Sequence, residues 1–215
     1  MSRYNSASRK EHPFKLFAEN NPQFLVIGSF PTTDNRISFD FYYPNGTNKF
    51  WKTLSQVFSD SKTKLNTKVS VKDKGTIREQ NKKDRENFCR ENKIAITDMI
   101  TSCIRMHGNS KDSQLLVHRY TSIINILKEY KSIKRIILTA KSLGSSANHH
   151  FYQYLTMNEI DFEFEDNGAI PKGMIEVEGR KISIFSIGST SFLNSHTTDK
   201  QLIDLYEEAF NRNHQ

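Results

Sequence analysis

Phe24-Leu25-Val26-Ile27-Gly28-Ser29-Phe30-Pro31 is the stretch on which the reading of this chain turns. Four consecutive apolar residues, two of them β-branched, form a run typical of a strand buried on both faces. Gly28 and Pro31 end it in a tight turn. Three further runs of the same kind follow, at Ile94–Thr97, Ile133–Thr139 and Ile182–Ile187. Segments with helical spacing lie between and after them, at Asn48–Phe58, Thr76–Asn92, His118–Glu129, Ser145–Leu155 and Asp199–Asn211. Strands alternating with helices predict an α/β protein, a three-layer α/β/α sandwich around a central, mostly parallel four-stranded sheet. Phe162–Phe164 and Met174–Val177 read as an additional hairpin. Thr198 with Gln201 fits a capping box for the last helix.

The 215 residues suit one domain with a substantial core. Residues 1–20 read as a polar N-terminal segment, and 21–215 as a single domain with a basic insertion at about 60–75. Mean hydropathy of −0.65 suits a wide polar surface, and no apolar run approaches the roughly 20 residues that span a bilayer. The start has no hydrophobic stretch and does not read as a secretory signal, so a cytoplasmic location and no membrane partner are expected. Two cysteines, Cys89 and Cys103, cannot supply a four-cysteine site, and the histidines lack ligand spacing; no metal, metal cluster or other cofactor is expected.

A formal net charge of +7 favours a polyanionic partner, nucleic acid first. Much of that charge crowds between Lys62 and Arg90, where a solvated insertion and a mixed-charge helix account for it. No glycine-rich dinucleotide fingerprint or phosphate-binding Gly-Lys-Ser/Thr is present.

In sheets of this kind, ligands bind beyond the carboxyl ends of the strands. The segments expected there are Gly28–Pro31, Asp98–Arg105, Ala140–Ser146 and Gly188–His196. Facing the first turn is Phe41-Tyr42-Tyr43-Pro44-Asn45-Gly46-Thr47-Asn48-Lys49-Phe50-Trp51, an aromatic, polar loop running into a helix. Paired tyrosines supply stacking surface, strand-end amides at Ser29 and Phe30 supply donors, and an asparagine supplies a carbonyl; together they suit a nucleobase. Neighbouring residues in extended chain face opposite ways, so one of Tyr42 and Tyr43 is expected in the core. Asn48 is also well placed to cap the following helix. Asn45, in a Pro-Asn-Gly turn, reads as structural.

These segments, in order from about Phe24 to Phe210, resemble the uracil-DNA glycosylase superfamily, most closely its hypoxanthine-DNA glycosylase branch and less closely the mismatch-specific branch. Gly28-Ser29-Phe30-Pro31 is similar to the first motif. Tyr42-Tyr43, Asn48 and Phe50-Trp51 stand at the hypoxanthine branch's spacing. Ile96–Ile100 with Cys103–Arg105 and Gly108–Ser113 resembles the middle segment, and Ile187–Asn194 the second motif. The chain departs from the mismatch-specific branch at Phe30, where that branch has its catalytic asparagine. It also has Gly188 and Phe192 where the second motif has prolines.

The resemblance implies a uracil-DNA glycosylase-like fold and a monofunctional DNA glycosylase that hydrolyses the N-glycosidic bond of a flipped-out base, uracil or hypoxanthine by default. An abasic site would remain. Asn48 would hold the attacking water. Gly28, Ser29, Phe30, Tyr42, Tyr43 and Asp98 would meet the base. Arg105, Lys141, Ser142, Ser189, Thr190, Ser191, Phe192, Leu193 and Asn194 would contact DNA, single- or double-stranded, with Phe192 or Leu193 filling the gap that the base leaves. A monomer is expected. Three alternatives stay open: a phage-defence glycosylase excising a hypermodified pyrimidine such as glucosylated 5-hydroxymethylcytosine, a nucleic-acid-binding module without chemistry, and a small-molecule hydrolase acting on free nucleosides.

Overall fold

The structure, a computed structural model, describes residues 9–106, 111–140, 144–165, 170–191 and 197–212. Its spine is β2 (Phe24–Gly28), with β3 (Ile94–Asp98) parallel on one side and β6 (Arg135–Leu138) parallel on the other. β9 (Arg180–Ser186) continues the parallel set beside β6. The sheet does not stop at those four strands. β8 (Lys172–Val177) and β7 (Phe162–Glu165) add on antiparallel to β9, giving a six-stranded mixed sheet of order β3-β2-β6-β9-β8-β7. The hairpin expected as a separate addition is thus part of the main sheet, because β9 would otherwise leave its ladder groups unpaired along that edge.

Alternate strand residues go to opposite cores, as the period of two requires. Val26, Ile137 and Phe185 pack with α1 (Phe50–Val57), α2 (Gly75–Glu91) and α5 (Asp199–Phe210). Leu25, Ile27, Ile136, Leu138 and Ile184 pack on the other face with α3 (Ile123–Glu129) and α4 (Ala147–Met157). The result is helices, sheet, helices. α1 buries Phe50, Trp51, Leu54 and Val57 on one stripe, and α5 starts with the Thr198–Gln201 capping box read from the sequence.

Two segments depart from expectation. Asp98–Arg105, read as a strand-end loop, continues as β4 (Ile100–Arg105). The first part of the helix read over His118–Glu129 is instead strand β5 (Leu115–Tyr120). β5 pairs antiparallel with β4, and Leu115 and Val117 turn inward, so pairing outweighs a helical spacing that only Tyr120 brings into this segment. β1 (Arg9–Glu11) completes this second, three-stranded sheet on the other side of β4. From residue 9 the N-terminal segment is therefore built into the fold. Phe17 forms a bridge to Ile96 and is buried.

The basic insertion is tied down at several points. Glu91 accepts the amides of Lys62 and Thr63, and Arg85 donates to the Asn66 carbonyl at 2.9 Å. Arg85, within the stretch read as a mixed-charge helix, is 1 % exposed and lies 4.0 Å from the Phe39 ring centroid. Burial pulls its guanidinium down to about 10. No helix among the described residues is long and apolar enough to cross a membrane.

Candidate functional site

After β2 the chain moves to β3 on one side, and later to β6 on the other, so the order of the parallel strands reverses at β2 and β6. Such a switch point leaves a crevice beyond the carboxyl ends of the strands. A cleft of about 640 Å³ lies there. Its wall includes Ser29 after β2, Asp98 ending β3, Thr139 after β6 and Ser189–Ser191 after β9, together with the tyrosine loop from Tyr42 to Asn48. Asp112 also lines it.

The first turn is held by its neighbours. The Gly28 and Ser29 carbonyls accept the Met99 and Ile100 amides at 2.8 and 3.1 Å. A Cβ at Gly28 would stand 2.8 Å from the Tyr43 hydroxyl and closer still to Asp98 Oδ1, so only glycine lets the strand end approach both. Phe30, on the turn, packs edge-on to His12 with centroids 5.5 Å apart. Arg105, expected at a phosphate, donates to the Pro31 carbonyl at 2.7 Å and stands over the Phe30 ring. That bond braces the turn.

Of the two tyrosines, Tyr42 lies in the core, as expected of one of them, but the chain bends at Tyr43 instead of running extended. Tyr42 is 2 % exposed, and its hydroxyl donates to the Lys15 carbonyl at 3.0 Å. It touches the cleft from within the core, which corrects the expectation that it offers a stacking face. Tyr43, at a φ of 48°, stacks on Phe50 with centroids 3.9 Å apart and bonds the Thr139 hydroxyl at 2.8 Å. Burial, then the nearby Asp98 carboxylate, holds its hydroxyl protonated far above the usual range.

Asn48 lies on the cleft wall, two residues before α1 begins. Its side-chain carbonyl accepts the Phe50 amide at 2.9 Å, so it starts the helix. That oxygen has a second lone pair, and the side chain keeps its NH₂ donors. The backbone around it is fixed: Asn48 N–H donates to the Asn45 carbonyl and Lys49 N–H to the Thr190 carbonyl, both at 2.9 Å. Lys49 and Lys52 then share Asp199 at 2.7 and 2.9 Å, which pulls that carboxyl down to about 2 and locks α1 to α5. Asn45 binds Thr47 through its side chain, the structural role read for it.

The base of the site holds a residue that sequence reading missed. His12 Nε2 lies 2.9 Å from Asp98 Oδ2, with both side chains nearly excluded from solvent. His12 Nδ1 is 2.7 Å from the Phe14 carbonyl oxygen and 3.0 Å from its amide nitrogen, so the ring is held whichever nitrogen carries the proton. Phe14, Phe30 and Tyr42 enclose it. Nothing in the local pattern around His12 signals this, since the partner is 86 residues away.

Ser189 accepts the Ser191 amide at 3.2 Å, and Thr190 is 2 % exposed; all three residues reach the cleft wall. Lys141, Ser142, Phe192, Leu193 and Asn194, expected at DNA, lie outside the described residues. Gly46, at the tip of the tyrosine loop, packs against the Val69 carbonyl so closely that a Cβ would overlap it, which sets the basic insertion against the cleft's outer wall. Comparisons of the chain with protein-family models, with curated proteins and with solved structures found no match.

Proposed function

We propose that this protein is a monofunctional DNA glycosylase that hydrolyses the bond between deoxyribose and a flipped-out deaminated or modified base, on a uracil-DNA glycosylase-like fold. The observation that carries the reading is the position of Asn48. The asparagine that the sequence resemblance singles out stands on the wall of the strand-end cleft, beside Tyr43 and Asp98 and in chain continuity with a helix start anchored to Thr190.

Breaking an N-glycosidic bond builds positive charge on the sugar and negative charge on the base. The chemistry needs a ring-shaped slot, polar groups on the base edge and a positioned water. Tyr43 backed by Phe50 offers a rigid aromatic wall, whose face away from Phe50 takes the base. Asp98, steadied by His12, accepts a base N–H. Asn48, already committed at one lone pair, orients the attacking water with its remaining polar capacity. An amide orients and does not abstract a proton, which suits a reaction driven by departure of the base. Ser189, Thr190 and Ser191 supply hydroxyls and amides for backbone phosphates.

The default substrates are uracil and hypoxanthine. A hypermodified pyrimidine such as glucosylated 5-hydroxymethylcytosine is the second reading, favoured by the contact of Gly46 with Val69, which brings the insertion beside the cleft as a frame for a larger base.

Synthetic duplexes carrying one uracil, hypoxanthine or glucosylated 5-hydroxymethylcytosine, treated with alkali after incubation, should break at that base. Asn48→Ala should lower single-turnover cleavage by about 10²-fold while leaving duplex binding intact. Binding without cleavage of any duplex would instead mark a nucleic-acid-binding module.

A further inference from the structure

We propose that Asp112 meets the flipped base as an uncharged carboxylic acid and gives it a proton as the glycosidic bond breaks. The inference rests on the glycosylase reading above and adds a general acid to it.

The topology brings Asp112 to the cleft. The chain leaves β3 at Asp98, runs outward along β4, and returns through a short 3-10 turn, Asp112–Gln114, before pairing back as β5. Asp98 and Asp112, from opposite ends of that excursion, line one cleft. Two carboxyls in one partly dehydrated space do not both ionise readily. The two carboxyls have different partners. Asp98 has His12 at 2.9 Å. Asp112 has the Ser29 hydroxyl and feels Arg105, whose guanidinium also donates to the Pro31 carbonyl. The other charged or titratable groups on the described cleft wall are the neutral Tyr42 and Tyr43 hydroxyls, Arg36 and, next along the chain, Lys111. Burial, together with the Asp98 charge and against the Ser29 bond and Arg105, moves the Asp112 carboxyl up to about 6.

A group poised there can act as an acid near neutral pH. The bond from C1′ to the base nitrogen breaks with both electrons going to the base, and a water oxygen bonds to C1′ in its place. The Asp112 proton passes to the base. The proton shed by the water enters solvent, from which Asp112 is recharged.

The test uses the full chain and whichever of the three duplexes it cleaves best. Single-turnover rates between pH 5 and 8 should fall above about pH 6, by about tenfold per unit, in the wild type. Asp112→Asn, close in shape but unable to give up a proton, should be about 10²-fold slower at low pH and lose that limb. Its melting curve and duplex affinity verify that it folds and binds. Carboxyl carbon NMR should show Asp112 titrating near 6 in the wild type and lower in Asp98→Asn. A wild type that cleaves with a flat profile, an Asp112→Asn variant with unchanged rate, or a carboxyl titrating in the ordinary range overturns the role of Asp112 alone. A wild type inert on every duplex overturns the glycosylase reading and this proposal with it.

Discussion

His12 Nε2 and Asp98 Oδ2 are 2.9 Å apart at the base of the cleft, joining the segment just after β1 to the last residue of β3. The pair explains why the N-terminal segment is part of the fold. β1 pairs with β4, Phe17 bridges to Ile96, and between them His12 closes over the strand end that carries Asp98. Removing the histidine leaves a buried carboxylate with one partner fewer. His12→Ala should therefore cost about 3 kcal/mol, seen as a drop of roughly 10 °C in calorimetric midpoint. A change below about 0.5 kcal/mol, the size of a surface substitution, would show that the contact does not organise the site.

Gly28 brings the end of β2 close against two side chains of the cleft wall. Gly28→Ala sets a methyl against Asp98, which His12 holds, and against the Tyr43 hydroxyl, which Thr139 holds. Neither neighbour is a loose side-chain end. The variant should lose about 1–3 kcal/mol and change the Tyr43 environment in near-ultraviolet circular dichroism. Unaltered spectrum and melting would mean that the strand end has room that these contacts deny.

The two arginines near the mouth should behave differently in DNA binding. Arg36 is exposed on the cleft wall, whereas Arg105 is bound to the Pro31 carbonyl and stands over Phe30. Arg36→Ala should reduce the slope of log affinity against log salt by about 1, the signature of one lost phosphate contact. Arg105→Ala should lower the melting temperature and leave that slope nearly unchanged. The opposite pattern, measured by anisotropy at several salt concentrations, would reverse the assignment.

Asp112 makes a prediction for stability that is independent of catalysis. Its folded carboxyl is raised from 3.8 to about 6, so the folded state holds this proton more tightly than the unfolded chain. Its contribution is full below the unfolded value and is lost as pH rises through the folded one. Asp112→Asn, which cannot ionise, should raise stability at pH 8 by about 1 kcal/mol, allowing for partial solvent contact, and have little effect near pH 4. Urea melts at both values test this; equal shifts at the two would contradict it.

Much of the site could be read locally. The strand-to-turn run at Phe24–Pro31 depends on periodicity; that one of Tyr42 and Tyr43 is core was expected, but a left-handed bend at Tyr43, not extended-chain alternation, separates them. The Thr198–Gln201 cap depends on a spacing of three. Asn48 was visible because a helix start and the motif spacing coincide on it. β4 and β5 were missed because a strand at the side of the fold is stabilised by its partner, and the pairing of Leu115 with Arg105 and Leu116 with Ile104 leaves no mark in either segment alone. The burial of Arg85 within its helix was not legible for a similar reason. Its burial is made possible by Phe39, by Trp51 and by the Asn66 carbonyl, which come from separate stretches of chain, together with the Asn81 carbonyl one turn back on α2.

The amino-acid sequence by itself determined the α/β alternation, the parallel strands, the helix stripes and the loop that carries Asn48, since each follows from propensities and periods over a few residues. Only the tertiary structure decided that His12 would brace Asp98, that Asp112 would share a cleft with it, and that Arg105 would clamp the turn. Electrostatic and hydrogen-bond energies depend on distance through space and on loss of solvent, and neither quantity exists until distant segments have packed.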